Sequence, residues 1–217
     1  SMIRFHSFWD KAAIDYDSCV SRTSYAPLRD FMIKEQSLLT RTVLQRLETA
    51  EQVSIIEVGS GTGRSLFQLV KQRDIINKIE YLIGIDNAPS MNTIARFHRR
   101  NLGNGTLSPS AAEKFLFLDM EAEELSTFFC DGRASEKNLK SRYGESGELN
   151  HFDANKFNKS GKIICILLNT LGVIQEKGRR KVIKAMMDSA GLGDLVALSV
   201  FDSTNFKNNA PKLYATL

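Results

Sequence analysis

The stretch of residues 53–63, VSIIEVGSGTG, decides the fold. Its first half is a short apolar run with β-branched residues, which predicts a buried strand. Glycines then alternate at Gly59, Gly61 and Gly63 and predict a tight turn, and residues 65–71 return to the apolar spacing of a helix. Strand, glycine turn and helix in this order predict the opening of a βαβ unit, from which parallel sheets are built.

The same alternation continues along the chain. Short apolar runs predict further buried strands at 81–85, 115–118, 162–168 and 194–200. Helical spacing predicts helices at 90–100, 122–129 and 179–189. We therefore predict an α/β protein with a Rossmann-like, open, mostly parallel sheet and helices on both faces. Two helical patterns before residue 50 predict an N-terminal helical cap over residues 1–50, ahead of a core over residues 51–217.

Residues 131–161 break this alternation. They are rich in Lys, Ser, Asn, Glu and Gly, whereas the connections of α/β units usually have about 2–6 residues. Such a composition buries too little apolar surface to offset the entropy lost on ordering. We expect a mobile surface insertion, and a lid over a binding site is the alternative.

The composition excludes several classes of protein. The chain has 217 residues, 42% hydrophobic and 25% charged, and a net charge of +4, so neither a disordered chain nor a strongly basic nucleic-acid binder is expected. No apolar run reaches the roughly 20 residues that a membrane-spanning helix needs, and we do not expect residues 1–4 to begin a signal peptide. We expect a soluble, intracellular protein located in the cytoplasm.

Cysteine and histidine are too sparse and too scattered for a metal site. The three cysteines form no C-x-x-C pair, and the three histidines form no H-E-x-x-H motif. Neither a disulfide framework nor a metal site is predicted.

The glycine turn differs from the common phosphate-binding loops. A phosphate loop, G-x-x-x-x-G-K-[ST], needs a second glycine where Arg64 stands. The dinucleotide motif G-x-G-x-x-G needs its last glycine at Arg64 or at Leu66. Glu57, two residues ahead of the first glycine, would repel a pyrophosphate and attract a cation.

Acidic residues also end the next two predicted strands. Asp86 follows residues 81–85, and Asp119 follows residues 115–118. The carboxyl ends of parallel strands meet at one edge of the sheet, where ligands of open α/β sheets bind. Either aspartate alone can be explained as the N-cap of the next helix. Together with Glu57 and the glycines, they predict a cofactor site.

These motifs resemble those of the class I S-adenosylmethionine-dependent methyltransferases. In that family an acidic residue precedes G-x-G-x-G, and residues 57–63 are similar to this motif. A G-I-D-x-S-x-x-M segment ends the family's second strand, and residues 84–91 are similar to it, with Ala88 at the serine position. An Asp ends the third strand, which residues 119–120 match. Residues 8–16, FWDKAAIDY, resemble an N-terminal helix that many members fold over the cofactor. The resemblance implies the Rossmann-like fold, S-adenosyl-L-methionine as cofactor and S-adenosyl-L-homocysteine as product. It implies a cofactor site formed by Glu57, Gly59, Gly61, Gly63, Asp86, Asn87, Met91, Asp119, Met120 and Asn169.

Each part of this cofactor needs a different partner. Glu57 can accept a hydrogen bond from the ammonium group of the methionyl part, directly or through water. The two carboxylate oxygens of Asp86 match a ribose diol, and Asp119 can accept from the adenine amino group. Met91 or Met120 can pack on the face of the purine.

The end of the fourth predicted strand indicates the class of acceptor. Residues 169–172, NTLG, depart from the N-P-P-Y or D-P-P-Y pattern of the members that methylate exocyclic amines of nucleobases. They resemble members that act on amines of small molecules, and Asn169 can hold the cofactor ammonium or orient the acceptor. We expect a small-molecule acceptor. A protein or RNA methyltransferase, or a catalytically inactive methyltransferase-like binding module, is the alternative.

Methyl transfer from a sulfonium depends mainly on alignment and desolvation. Aromatic faces can stabilise the positive charge as it disperses. Asn169 and Tyr16 are the candidate catalytic residues. Further aromatic candidates are Trp9, Tyr25 and Phe201, and candidates for a general base, if the reaction uses one, are Tyr16, His6 and Asp202.

The end of the chain is short for this family, whose members usually follow the fifth strand with a helix and a pair of antiparallel strands. Residues 202–217 are too few for these elements. We expect the C-terminal antiparallel strands to be missing and the fifth strand to leave an exposed edge. A second copy of the chain in a homodimer, or another partner, would cover that edge, unless the chain is a piece of a longer protein.

Overall fold

The computed structural model describes residues 10–13, 15–17, 26–103, 105, 108–168 and 170–201. The strands of this part of the chain are β1 (Val53–Val58), β2 (Ile79–Asp86), β3 (Phe115–Asp119), β4 (Phe129–Cys130), β5 (Arg133–Ala134), β6 (Gly161–Ile166) and β7 (Leu195–Leu198). Five of them form one parallel sheet in the order β3-β2-β1-β6-β7. β4 and β5 form a short antiparallel pair.

Helices connect these strands. They are α1 (Ala26–Leu47), α2 (Arg64–Val70), α3 (Arg73–Ile76), α4 (Pro89–Gly103), α5 (Pro109–Ala112), a 3-10 helix (Ala122–Glu124), α6 (Leu125–Phe128), α7 (Glu136–Tyr143), α8 (Ala154–Lys159), α9 (Thr170–Val173) and α10 (Glu176–Ser189). Residues 10–13 and 15–17 are also helical and are called the N-terminal helical segment below. None of the helices in the described ranges has the length and apolar character needed to cross a membrane.

Apolar layers cover both faces of the sheet. On one face α1, α2 and α4 pack against the strands, and on the other face α6, α7, α8 and α10 do. Every residue of β1 is buried. Its sequence is apolar almost throughout because both sides of the strand face a layer of helices. The Rossmann-like α/β fold predicted from the sequence is confirmed.

The strand order fixes the place of a ligand site. From β1 the sheet extends outwards through β2 and β3 on one side, and through β6 and β7 on the other. β1 and β6 therefore flank the topological switch point. In open α/β sheets, ligands bind outside the carboxyl ends of the strands at this point, which is where the glycine turn follows β1.

α1 is a layer of the core. Its Leu39 and Val43 belong to the same buried cluster as Val53 of β1. Residues 26–47 of the predicted cap thus pack as a core layer; that the residues before them form a cap stays a prediction.

The segment 131–161 is packed into the fold despite its polar composition. It contains β5, α7 and α8, and it buries Leu139, Tyr143 and Phe157 in the core cluster on one face of the sheet. Leu139 and Tyr143 lie four residues apart and therefore share one face of α7. The composition argument for a surface insertion therefore fails, because a few well-spaced apolar side chains are sufficient to attach the segment; that the segment is mobile stays a prediction.

The same segment covers one edge of the sheet. Glu148 accepts the backbone N–H of Phe117 at 3.0 Å and pairs with both terminal nitrogens of Arg99 at 2.7 Å. Arg99 of α4 also donates to the carbonyl of Phe115 at 2.9 Å. These side chains form hydrogen bonds with backbone groups of the β3 edge that could otherwise pair with a strand of another chain.

The opposite edge strand, β7, is only partly covered. Leu198 is 49% exposed and Val200 is 53% exposed. No antiparallel strand pairs with β7 among the residues that the structure describes, and residues 202–217 lie outside them. That a second copy or a partner covers this edge stays a prediction.

Candidate active site

A cavity of about 400 Å3 opens at the carboxyl ends of β1 and β2. Its walls come from the glycine turn, the starts of α4 and α10, the 3-10 helix and the N-terminal helical segment. A concave site of this size is ordinary for small ligands. The predicted site residues that line it are Tyr16, Gly59, Gly61, Asp86, Asn87, Met91 and Met120.

The glycine turn requires glycine at two cavity-lining positions. Gly59 has φ +67°, and a Cβ there would lie 2.3 Å from Cγ2 of Thr170. Gly61 has φ +55°. Residues that carry a side chain rarely adopt these conformations. The glycines therefore let the turn pass close to α9 while its backbone faces the cavity.

Asp86 joins the glycine turn to the end of β2. Its Oδ2 accepts the backbone N–H of Gly61 at 2.9 Å, and its Oδ1 accepts the backbone N–H of Ala88 at 2.8 Å. A carboxylate offers about four lone-pair sites, so accepting two N–H groups is compatible with accepting a hydroxyl. Asp86 also lines the cavity. Its contact with a ribose diol stays a prediction.

Glu57 is buried beneath the glycine turn and does not line the cavity. Its Oε2 has no hydrogen-bond partner among the described residues. Burial raises the pKa of Glu57 to about 8; the positive charge of Arg64 opposes this rise, whereas Glu35 and Asp86 add to it. A buried carboxyl with an unpaired oxygen is costly, and such groups cluster at functional sites.

Asp119 ends β3 but lies outside the cavity lining. Its Oδ1 accepts from Nδ2 of Asn92 at 2.7 Å and lies 3.5 Å from Nη2 of Arg96. Asn92 is fully buried and also donates to the backbone carbonyl of Asp86 at 3.0 Å. It therefore joins the ends of β2 and β3. The contact of Asp119 with adenine stays a prediction.

The remaining residues of the second and third motifs lie at the cavity. Nδ2 of Asn87 donates to Oε2 of Glu121 at 3.0 Å, so the segments that follow β2 and β3 meet at its rim. Met91 and Met120 are both buried and line the cavity. Their thioether side chains give it apolar, adaptable surface.

The N-terminal helical segment contributes Tyr16 to the cavity wall. Asp10 accepts the hydroxyl of Ser90 at 2.6 Å, and Asp17 accepts the hydroxyl of Thr62 at 2.5 Å. These hydrogen bonds attach the segment to the start of α4 and to the glycine turn. The segment thus covers one side of the cavity.

Other predicted residues lie away from the cavity or outside the described part of the chain. Gly63 precedes α2 with φ +82° and does not line the cavity. Phe201 packs against Phe31, with ring centroids 4.5 Å apart. The residues outside the described part are Asn169, Trp9, Tyr25, His6 and Asp202.

One part of the cavity wall has no signal in the sequence. Glu121 and Glu123 line the cavity after β3, and Lys177 and Lys181 line it from α10. Helical spacing places the two lysines on one face of α10, but nothing in the sequence indicates that this face meets a cavity. Despite the added acidic residues, no group of three or more His, Cys, Asp or Glu in the described ranges could hold a metal ion.

Comparison with known proteins gives matches among solved structures. No protein-family model and no curated protein matches the sequence. A sugar N-methyltransferase from a Streptoalloteichus species matches with 16% identity over 79% of this chain and 49% of its own, at a TM-score of 0.45. An S-adenosylmethionine-bound amino pentose methyltransferase from Micromonospora echinaspora matches with 13% identity. The match covers 78% of this chain and 50% of that protein, at a TM-score of 0.47. A methyltransferase from Geobacter sulfurreducens in complex with S-adenosyl-L-homocysteine matches with 16% identity. The match covers 76% of this chain and 47% of that protein, at a TM-score of 0.43.

The chain spans about half the length of these matched structures. All three are methyltransferases, the class of protein whose motifs the sequence resembles.

Proposed function

We propose that the protein is an S-adenosyl-L-methionine-dependent methyltransferase that acts on a small-molecule acceptor. The observation that carries this proposal is the cavity at the switch point, where the glycine turn, Asp86, Met91 and Met120 meet. The cofactor has an amino acid end, a ribose diol and an aromatic base. It therefore needs backbone, carboxylate and apolar surfaces at the ends of neighbouring strands.

The residues present fit the cofactor. Glu57 has a buried oxygen without a hydrogen-bond partner in the described part of the chain, and the cofactor ammonium would supply a donor, directly or through water. Asp86 would accept from the ribose hydroxyls, and Met91 and Met120 would pack on the purine. When bound, S-adenosyl-L-methionine supplies an electrophilic methyl group on its sulfonium.

The contribution of the chain itself is alignment and exclusion of water. The glycine turn and the N-terminal helical segment, which Asp17 joins to Thr62 of the turn, form adjacent parts of a cavity wall that would hold the two reactants in one orientation. Tyr16 would offer an aromatic ring to a positive charge in the cavity. Asn169 stays a candidate for orienting the acceptor. An acceptor amine that arrives unprotonated needs little acid–base assistance and can release its proton to solvent after the transfer, so we assign no general base.

Three arginines of α4 and α10 support a small acceptor over RNA. RNA binding needs Lys and Arg side chains that are available to phosphates. Arg96 and Arg99 donate to backbone carbonyls of β3 at 2.6 and 2.9 Å, and Arg179 donates to the carbonyl of Gly172 at 2.9 Å. These three guanidinium groups are engaged in holding the fold together.

Two lysines favour an acceptor that carries an anionic group. Lys177 and Lys181 line the cavity from α10, and both are exposed. Their positive charges attract a carboxylate or a phosphate. We infer a small acceptor that carries such a group in addition to its nucleophilic atom, for which an amine is the expectation.

Calorimetry with S-adenosyl-L-methionine and S-adenosyl-L-homocysteine tests the cofactor assignment. We expect both to bind in the micromolar range, followed by turnover on small amines, with anionic amines preferred. Binding of neither would contradict the proposed function. Binding of both without turnover on small molecules, proteins or RNA would favour the inactive binding module.

A further inference from the structure

Three ionisable side chains, two buried and one partly buried, form a cluster beneath the glycine turn, and the proposed function uses only Glu57. The other two are Glu35 of α1 and Arg64 at the start of α2. Nη2 of Arg64 lies 3.6 Å from Oε1 of Glu35, and the two side chains are 13% and 4% exposed. Both groups also act on Glu57 through their charges. We call these three residues the Glu57 cluster.

Glu35 also holds the end of β6. Its Oε2 accepts the backbone N–H of Leu168 at 2.7 Å and the hydroxyl of Ser199. Leu168 has φ +48°, in the left-handed region that leucine rarely adopts. It also lines the cavity. The carboxylate of Glu35 therefore stabilises a strained residue of the cavity wall from behind that wall.

The charges of the Glu57 cluster favour one further cation. Two carboxylates and one guanidinium carry a net charge of −1 when all are ionised, and burial opposes that charge. The groups that face Glu57 come from four elements: Arg64 of α2, Glu35 of α1, Asp86 of β2 and Cys165 of β6, whose own thiol pKa is raised by burial. Of these, only Arg64 is positively charged. A cation near Glu57 would therefore favour its ionised form.

We propose that Glu35 and Arg64 are positioning residues for the cationic end of the cofactor: together they control the charge of Glu57, and Glu35 fixes Leu168 in the cavity wall. This inference rests on the proposed function. No motif marks Glu35, because it lies on α1, well before the glycine turn. An ion pair with a purely structural role would stabilise the fold without changing the protonation of Glu57.

The protonation of Glu57 is measured in the cofactor-free protein by NMR of labelled glutamate carboxyl groups, with Glu57→Gln to assign the signal. Glu35→Gln removes a negative neighbour, so the midpoint of the Glu57 titration should fall by about 1 pH unit. Arg64→Gln removes a positive neighbour, so the midpoint should rise. Asp30→Asn, at an exposed position on the same helix as Glu35, should leave the Glu57 midpoint unchanged.

Shifts of opposite sign in the two variants support the proposal. An unmoved midpoint, or shifts of the same sign, overturns it. Each variant has its own expected direction, so either one tests the proposal if the other does not fold.

Titration with S-adenosyl-L-homocysteine between pH 6 and 8.5 separates this inference from the proposed function, because this ligand carries the same ammonium group. The affinity of the wild type should rise as Glu57 ionises, and the midpoint in each variant should follow its NMR midpoint. Glu35→Gln should also weaken binding about 5-fold at the highest pH, because Leu168 loses a charged acceptor. If the wild type binds and these changes do not occur, the inference alone is overturned. If the wild type does not bind at any pH, the proposed function fails and the inference fails with it.

Discussion

Oδ2 of Asp86 accepts the backbone N–H of Gly61 at 2.9 Å, so the carboxylate that ends β2 holds the turn that follows β1. Gly61 has φ +55°, and both residues line the cavity. The residue that we assign to the ribose therefore also shapes the loop beside the methionyl part of the cofactor. Binding of these two parts of the cofactor is expected to depend on one carboxylate.

Gly59→Ala should destabilise the protein more than Gly193→Ala. Both glycines have positive φ, +67° and +81°, so either alanine costs about 1–2 kcal/mol in backbone energy. At Gly59 the new Cβ would also lie 2.3 Å from Cγ2 of Thr170, whereas nothing lies within 4 Å of a Cβ at Gly193. Overpacking of this kind adds about 1–3 kcal/mol. Urea unfolding measures the difference, and equal losses would show that the turn does not pack closely against Thr170.

The free energy of unfolding should decrease as the pH rises from about 5 to about 8. Glu57 has a pKa of about 8 in the folded protein and an ordinary value of 4.5, so between these values the folded state keeps a proton that the unfolded state has lost. One such proton contributes a slope that approaches about 1.4 kcal/mol per pH unit. Glu57→Gln should remove this contribution, because the amide does not titrate.

Chemical unfolding at a series of pH values compares how the free energy of unfolding changes with pH in the wild type and in Glu57→Gln. The control is Glu145→Gln at an exposed position, which should keep the wild-type slope. If Glu57→Gln and the wild type lose stability in parallel as the pH rises, Glu57 is not the buried acid that we describe.

Replacement of both Lys177 and Lys181 with Ala should raise KM for an anionic acceptor by roughly 10-fold. This corresponds to the added free energies of two exposed charge interactions of about 0.7 kcal/mol each. The Kd of the cofactor and KM for an uncharged analogue of the acceptor should change little. Steady-state kinetics with matched charged and uncharged acceptors measures this. Lys184→Ala is the control, because Lys184 lies on the same helix, pairs with Asp188 and does not line the cavity. The same KM increase for charged and uncharged acceptors would argue against recognition of an anionic group.

Leu139→Ala should destabilise the whole protein by about 2–4 kcal/mol, because Leu139 is 1% exposed and belongs to the core. Lys137→Ala, at an exposed position of the same helix, should have almost no effect. Limited proteolysis of the two variants gives a second measurement: cleavage within residues 131–161 should increase only in Leu139→Ala. Rapid cleavage of the wild type in this segment would restore the expectation of a mobile insertion.

The fold could be predicted because its strands are buried on both sides. A run such as VSIIEV is unusual outside a covered parallel strand, and the glycines that follow mark where the chain turns. The segment 131–161 escaped prediction for the opposite reason. Its attachment depends on Leu139, Tyr143 and Phe157 among many polar residues, and on the pairing of Glu148 with the edge of β3. The overall composition of the segment does not reveal such isolated contacts.

The candidate site was predictable where a motif carries it, as at the strand end of Asp86, at Met91 of α4 and at Tyr16 of the N-terminal helical segment. Asp86 is the last residue of β2 and lines the cavity. Asp119 stands at the equivalent place, but Asn92 and Arg96 draw its carboxylate towards α4. The burial of Glu35 also depends on how α1 packs over the sheet. A sequence shows that a residue is polar, and only the fold shows which polar residues are buried together.

The binding of S-adenosyl-L-methionine to the wild type and to Asp86→Asn tests the central claim most directly. Asparagine keeps the shape of the side chain and loses the charge, so the hydrogen bonds to the ribose diol should weaken by about 1.5–3 kcal/mol in total, which is about 10- to 150-fold in Kd. We expect micromolar-range binding by the wild type, the same Kd for the exposed control Glu145→Gln, and this loss in an Asp86→Asn protein that remains folded. Equal affinity of Asp86→Asn and the wild type, or no binding by the wild type, would contradict the account.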